Sequence, residues 1–215
     1  MAQSTRTQLA RSTVNCRCHV CAFFNSREDE YKVMLPFIKE GFDVGDRAVY
    51  ILDNNQRSER MQRLADTGID TAEAKASGQL EVRPWENAYL RPGRFDQYAM
   101  IDLLENVAKA AMQQGPGMTR LWANMEWALL DFPGVHDIVE YESRLNYFLP
   151  NYEMATVCTY DVTKFSASVV MDIIRTHPQV IVGGILRGNP FYVPPDEFLR
   201  ELDARNAAMI KGRKA

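Results

Sequence analysis

Hydrophobic positions along this chain fall into two alternating rhythms. Short runs rich in β-branched and aromatic residues are separated by longer stretches in which apolar residues recur every three to four positions. Residues 19–25 (HVCAFFN) read as a strand, and 27–40 follow as a helix with Tyr31, Met34, Leu35 and Ile38 spaced i, i+3, i+4, i+7. Residues 47–53 (RAVYILD) make a second strand ended by Asn54-Asn55, and a helix over 58–65 leads to a polar turn around Gly68. A third strand over 80–85 is closed by Pro84. The longest helix spans 95–113, with Met100, Leu103, Leu104, Val107 and Met112 facing inward, and stops at Gly115-Pro116-Gly117. Strands over 121–127 and 155–160 alternate with helices over 138–148 and 166–175. A last strand covers 180–186, and Pro194-Pro195 opens a terminal helix reaching about 209. This alternation predicts an α/β three-layer sandwich whose central sheet, of about six strands, is mostly parallel.

Composition narrows the setting. A chain of 215 residues with 46% hydrophobic and 25% charged positions suits one domain with one sizeable core. The formal charge of −3 gives no general attraction to nucleic acid or anionic membranes. Only the ends are basic (Arg6, Arg11 and Arg17; Lys211, Arg213 and Lys214). Residues 1–16 accordingly read as a flexible tail, 17–193 as the domain, and 194–215 as a helix with a basic tail. The opening residues lack the apolar core of a secretory signal, and no run approaches the roughly 20 apolar residues of a membrane span. Four cysteines do not make a disulfide framework, so reduced thiols and a cytoplasmic location are expected.

In such sheets ligands bind beyond the carboxyl ends of the strands. The residues there are Asn25-Ser26, Asp53-Asn54-Asn55, Glu126-Trp127, Tyr160-Asp161 and Arg187-Gly188-Asn189. Turn formation and helix capping account for each of them singly. The first loop, Asn25 to Glu30, has neither the glycines nor the lysine of a phosphate-binding loop. Instead Ser26 and Asp29 have capping-box spacing, and three carboxylates occupy the first helical turn, which repels a triphosphate. There is no GxGxxG, GxSxG or HExxH. Glu126 stands out because it interrupts an aromatic strand end; a carboxylate there would anchor a pocket walled by Trp127, Tyr160 and Tyr192, with Asp161 and Asn189 on the same rim.

Cys16, Cys18, His19 and Cys21 form the densest group of potential metal ligands. Their spacing is not that of a zinc ribbon or a haem attachment site, and alternation along a strand puts His19 and Cys21 on one face and Cys18 on the other. Packed thiols in a buried strand explain the group equally. Cys158 lies mid-strand in ATVCTYD and would meet Cys21 if the two strands are neighbours. Asp137, Glu140 and Glu142 read as a solvated acidic helix face, and His177 as a residue favoured by a helix end.

Several segments together carry a family resemblance. They are His19-Val20-Cys21-Ala22-Phe23-Phe24, Gly41…Gly45-Asp46-Arg47-Ala48-Val49-Tyr50, Met125-Glu126-Trp127, Tyr141-Glu142…Leu145-Asn146, Cys158-Thr159-Tyr160-Asp161, His177-Pro178 and Asn189-Pro190-Phe191-Tyr192. In order and spacing, over about residues 17–193, they resemble the MEDS domain (methanogen/methylotroph, DcmR sensory). The resemblance implies a RecA/KaiC-like fold with a degenerate nucleotide loop. It also implies a sensory role in prokaryotic signal transduction or transcription control, with a small hydrocarbon derivative as ligand. By the same resemblance His19, Cys21, Glu126, Tyr160 and Asp161 become ligand-site candidates. Members often carry a DNA-binding module or a histidine kinase; about 20 residues remain here after the domain, so a separate kinase or transcription regulator is the expected partner. The leading expectation is a non-enzymatic sensor that needs no cofactor and contacts neither nucleic acid nor membrane, with self-association left open. The alternative is a thiol- or metal-based sensor using Cys16, Cys18, His19 and Cys21. An ATP-dependent enzyme on the same scaffold comes third.

Overall fold

The computed structural model describes residues 6–15, 17–91, 93–113 and 117–212. Cys16, the Gly115-Pro116 stop and the basic Arg213 and Lys214 lie outside the described residues. In chain order the elements are β1 (Arg6–Leu9), β2 (Ser12–Asn15), β3 (Cys18–Phe24), α1 (Arg27–Val44), β4 (Arg47–Leu52), α2 (Arg57–Asp66), α3 (Thr71–Ala76) and β5 (Leu80–Pro84). They continue with α4 (Gln97–Gln113), β6 (Thr119–Asn124), α5 (Ile138–Phe148), β7 (Met154–Asp161), α6 (Ala167–Thr176), β8 (Gln179–Val182), β9 (Ile185–Gly188) and α7 (Pro195–Gly212).

Seven strands form one sheet in the order β5-β4-β6-β7-β3-β8-β9, parallel throughout except for β9, which runs antiparallel to β8. The inner strands β3, β6 and β7 are buried on both faces, which is why they read as nearly continuous apolar runs rather than as alternations. Two apolar layers result. One holds Val20, Ala22, Tyr50, Trp122 and the inner face of α1; the other holds Cys21, Phe23, Trp127, Tyr141, Cys158 and Tyr160 under α4 to α7. The α/β sandwich expected from the sequence is therefore present.

Three features depart from the sequence reading. Residues 6–15 are not a free tail but a hairpin, with Thr7, Leu9 and Val14 buried; its two turn residues, Ala10 and Arg11, hold φ of 47° and 62°. The strand expected over 180–186 is two strands, because Gly183 and Gly184 adopt φ of 58° and 72° and reverse the chain in a two-residue turn. The strand expected over 121–127 ends at Asn124, and Glu126–Leu129 form a short 3₁₀ turn, so Glu126 and Trp127 leave the sheet plane. At the head of α1, Ser26 accepts a hydrogen bond from the Asp29 backbone N–H, the capping expected from their spacing.

Candidate functional site

Alternation along β3 and β7 decides which side chains meet. His19, Cys21 and Phe23 of β3 stand in register with Thr156, Cys158 and Tyr160 of the parallel β7, all beneath α5 and α6. From above, α5 lowers Glu142, wholly buried, onto this strip, and Asn146 follows one turn later. The C-terminal end of α6 brings His177, also wholly buried. Pro178 behind it disfavours a further helical turn, and His177 is extended at φ −119° and ψ 127°, so its ring turns inward.

Three groups converge on one carboxylate oxygen. Glu142 Oε2 lies 3.1 Å from His19 Nε2, 3.2 Å from His177 Nε2 and 3.6 Å from Cys158 Sγ. Cys158 Sγ is 3.8 Å from His19 Nε2, and the donor atoms of all four residues lie within 4.8 Å of one another. The other carboxylate oxygen, Oε1, accepts a 2.8 Å hydrogen bond from the Tyr160 hydroxyl. The two imidazole rings are 4.0 Å apart between centroids.

Burial alone would raise the Glu142 pKa, but the His177 and His19 imidazoles more than offset it and hold the carboxyl well below its ordinary range. Burial, reinforced by His177, pushes His19 toward its neutral form even though Glu142 and Asn146 pull the other way. Burial and then the Glu142 charge push the Cys158 thiol up, and burial does the same to the Tyr160 hydroxyl. Two imidazoles, a thiol and a carboxylate in a dry site form a donor set that can hold a transition metal or store a proton.

The residues singled out in the sequence separate into distinct places. His19 and Tyr160 belong to the buried centre. Cys21 lies beside Cys158 across the ladder, with its Sγ 3.7 Å from the Gln179 carbonyl. Cys18 faces the opposite layer, so Cys18, His19 and Cys21 do not form a common ligand set. The crevice expected between Trp127, Tyr160 and Tyr192 is not open. Trp127 is a core residue stacked on Tyr89 at 4.5 Å; Tyr160 points to Glu142; Tyr192 is half-buried elsewhere. At the rim, Lys164 bridges Glu126 at 2.6 Å and Asp161 at 3.4 Å, and the space beside them is about 10 Å³, too small for an organic ligand. Asn189 closes the end of α6, its Nδ2 donating to the Ile174 and His177 carbonyls at 2.6 and 2.7 Å.

Asn25 instead borders an open cleft of about 750 Å³ at the carboxyl ends of β3 and β8. Phe23, Phe24, Val33 and Pro36 form its apolar wall, Lys32 and Asp29 its polar side, and the β1–β2 turn and Gly183-Gly184 its edges. That volume lies within the range of small-molecule sites.

Sequence reading missed Glu142 and His177 as members of the centre. A signal was present for Glu142: it falls four residues after Ile138 and three before Leu145, on the apolar stripe of α5 and not on its wet face. For His177 the following proline marked a chain reversal but not its direction.

The class defined here is a mostly parallel α/β sandwich with a capped acidic turn after β3 and a buried His-Cys-Glu centre between the sheet and α5–α6. The chain belongs to the MEDS family, described as MEthanogen/methylotroph, DcmR Sensory domain, whose profile matches residues 18–178. It is similar to the transcriptional repressor DcmR of Methylorubrum extorquens, with 25% identity over 175 residues, covering 81% of this chain and 63% of that protein. The chain thus spans under two thirds of the length of this curated relative. Among solved structures it is similar to a KaiC-like protein of Pyrococcus horikoshii OT3, with a TM-score of 0.53 and 15% identity over 76% of this chain and 69% of the other; that likeness concerns the fold. Among the described residues no helix is long and apolar enough to cross a membrane.

Proposed function

We propose that this chain is the non-catalytic, cytoplasmic sensing part of a transcription-control system, and that it binds a small, largely apolar molecule at the carboxyl edge of its sheet. Membership of a sensory family and similarity to a repressor support the regulatory role. One observation carries the ligand reading: the 750 Å³ cleft, apolar on the Phe23–Val33 side and polar at Asn25 and Lys32. A non-catalytic role is supported by the loop after β3, where residues 25–30 supply neither glycine nor lysine and Ser26 caps the first turn of α1. A ligand in the cleft would favour one arrangement of the β1–β2 hairpin and the Gly183-Gly184 turn, and that population shift would pass to a DNA-binding regulator or histidine kinase.

Thermal melts with a panel of short-chain alcohols and haloalkanes test this. At least one compound should raise the melting temperature of the wild type, and Val33→Trp, which fills the cleft, should remove the effect while preserving the circular dichroism spectrum. Loss of the effect in Glu126→Ala but not in Val33→Trp would return the site to the Lys164 rim. No stabilisation by any compound would refute ligand sensing of this chemical kind.

A further inference from the structure

We infer that His19, Glu142, Cys158 and His177 form a binding site for a divalent transition cation of zinc's class. Asn146 Nδ2 faces three carbonyls, of Glu142, Ser143 and Thr176, at 3.3, 3.1 and 2.8 Å, which fixes its amide so that Oδ1 faces His19 Nδ1 at 3.1 Å. A carbonyl oxygen cannot donate, so His19 Nδ1 carries the proton. Nδ1 of His177 meets the Ile173 carbonyl at 2.9 Å and is protonated for the same reason. In each neutral ring the lone pair therefore sits on Nε2, and both Nε2 atoms face the same carboxylate oxygen.

Without a cation that arrangement is in conflict. With one ring protonated, the other presents its lone pair to the carboxylate. With both protonated, two imidazolium rings stand 4.0 Å apart in the core. His177 Nε2 is buried and makes no hydrogen bond despite its 3.2 Å approach to Glu142. A divalent cation resolves all of this: it accepts both lone pairs, the carboxylate and the thiolate, and the Cys158 proton leaves to solvent. One dication, one thiolate and one carboxylate sum to zero charge, which suits a dry interior.

Tetrahedral zinc, with bonds of about 2.0–2.3 Å, sets its donor atoms about 3.3–3.8 Å apart. Four of the six separations here are 3.1, 3.2, 3.6 and 3.8 Å and the other two fall within 4.8 Å, so side-chain movements of about an ångström complete the tetrahedron. The Nδ1–H groups donating to Asn146 and Ile173 are the outer hydrogen bonds that orient metal-binding histidines. Nitrogen and sulfur donors favour zinc, cobalt or ferrous iron over magnesium or calcium. The site shares only His19 with the cysteine-rich stretch at residues 16–21, and it is separate from the ligand cleft.

Titration of the tag-free full chain with cobalt(II) tests the inference. The expected result is one equivalent bound, with the visible bands of tetrahedral cobalt and a thiolate-to-cobalt charge-transfer band, all displaced by zinc. Cys158→Ser should abolish the charge-transfer band and weaken affinity at least about tenfold, while Cys18→Ser and Cys21→Ser keep both. Asn146→Ala leaves every donor in place and should weaken binding by about 10–100-fold, which gives a second reading if Cys158→Ser does not fold. Absence of the bands in the wild type, or bands that survive Cys158→Ser or disappear in Cys21→Ser, would overturn it.

Discussion

Glu30 lies in the first turn of α1, yet it is buried beneath α2, where it pairs with a fully buried Arg60 at 3.2 Å. Its Oε1 also accepts hydrogen bonds from Trp122 Nε1 at 2.8 Å and Thr159 Oγ1 at 2.7 Å. Arg60 is held on its other side by Gln56 and the Tyr50 hydroxyl. Removing one partner of such a pair leaves the other charge in the core without compensation, at a cost of about 3–5 kcal/mol. Glu30→Ala is therefore expected to lower the free energy of urea unfolding by that amount. Glu28→Ala, at the exposed pair with Arg63, should change it by no more than about 1 kcal/mol. Comparable small losses in both variants would refute the distinction. From sequence, the Ser26–Asp29 cap and the three carboxylates of the first turn of α1 were legible from spacing. The inward turn of Glu30 was not, because its partner arrives 30 residues later on another helix. Glu142 was hidden in the same way: a carboxylate on an apolar stripe makes sense only once His19, 123 residues away, is beside it.

At the scale of elements, the strand-helix alternation was readable wherever apolar runs were long, which covers β3, β4, β6, β7 and the large helices. It failed where two or four residues decide the outcome. Gly183-Gly184 split one expected strand into β8 and β9, and the β1–β2 hairpin lacks the glycine or asparagine turn that signals such a motif. The hairpin is fixed to α1 by Glu40, which accepts from Thr7 Oγ1 at 2.7 Å and from the Gln8 N–H at 3.2 Å, while Arg120 Nη1 reaches it at 2.7 Å. Partial burial raises the Glu40 pKa, but the hydrogen bonds from Thr7 and Arg120 outweigh that, and the net shift is downward from 4.5. A carboxyl whose folded pKa is depressed stabilises the fold above its unfolded pKa and loses that contribution as pH falls through the folded one. Wild type should thus exceed Glu40→Gln in urea stability at neutral pH, and the gap should narrow as pH drops below 4.5. A gap that is constant from neutral pH to pH 3 would show that the carboxylate charge is not what anchors the hairpin.

For the whole molecule, the four groups of the buried centre come from β3, α5, β7 and the α6–β8 junction, so one cation would join a central strand pair to two helices of the covering layer. His19 and Cys158 are separated by 139 residues of chain, and an unfolded chain does not hold them together. A cation bound there selects the native state and stabilises it by RT ln(1 + [L]/Kd), about 2.7 kcal/mol at a hundredfold excess over Kd. In a domain of this size 1 kcal/mol moves the melting temperature by about 2–4 °C, so zinc-loaded and chelator-treated protein should melt roughly 5–10 °C apart. Chelation should also increase protease sensitivity around α5 and α6, because it returns two imidazoles and a carboxylate to an arrangement they cannot all satisfy. Cys158→Ser should lose at least about half of that difference, since a site ten times weaker at the same zinc concentration contributes about 1.4 kcal/mol, while Glu30→Ala, destabilised for an unrelated reason, should keep the full difference. That pairing separates loss of the cation from a general weakening of the fold, and a wild-type melt unmoved by both chelator and added zinc would leave the centre as a hydrogen-bonded proton store.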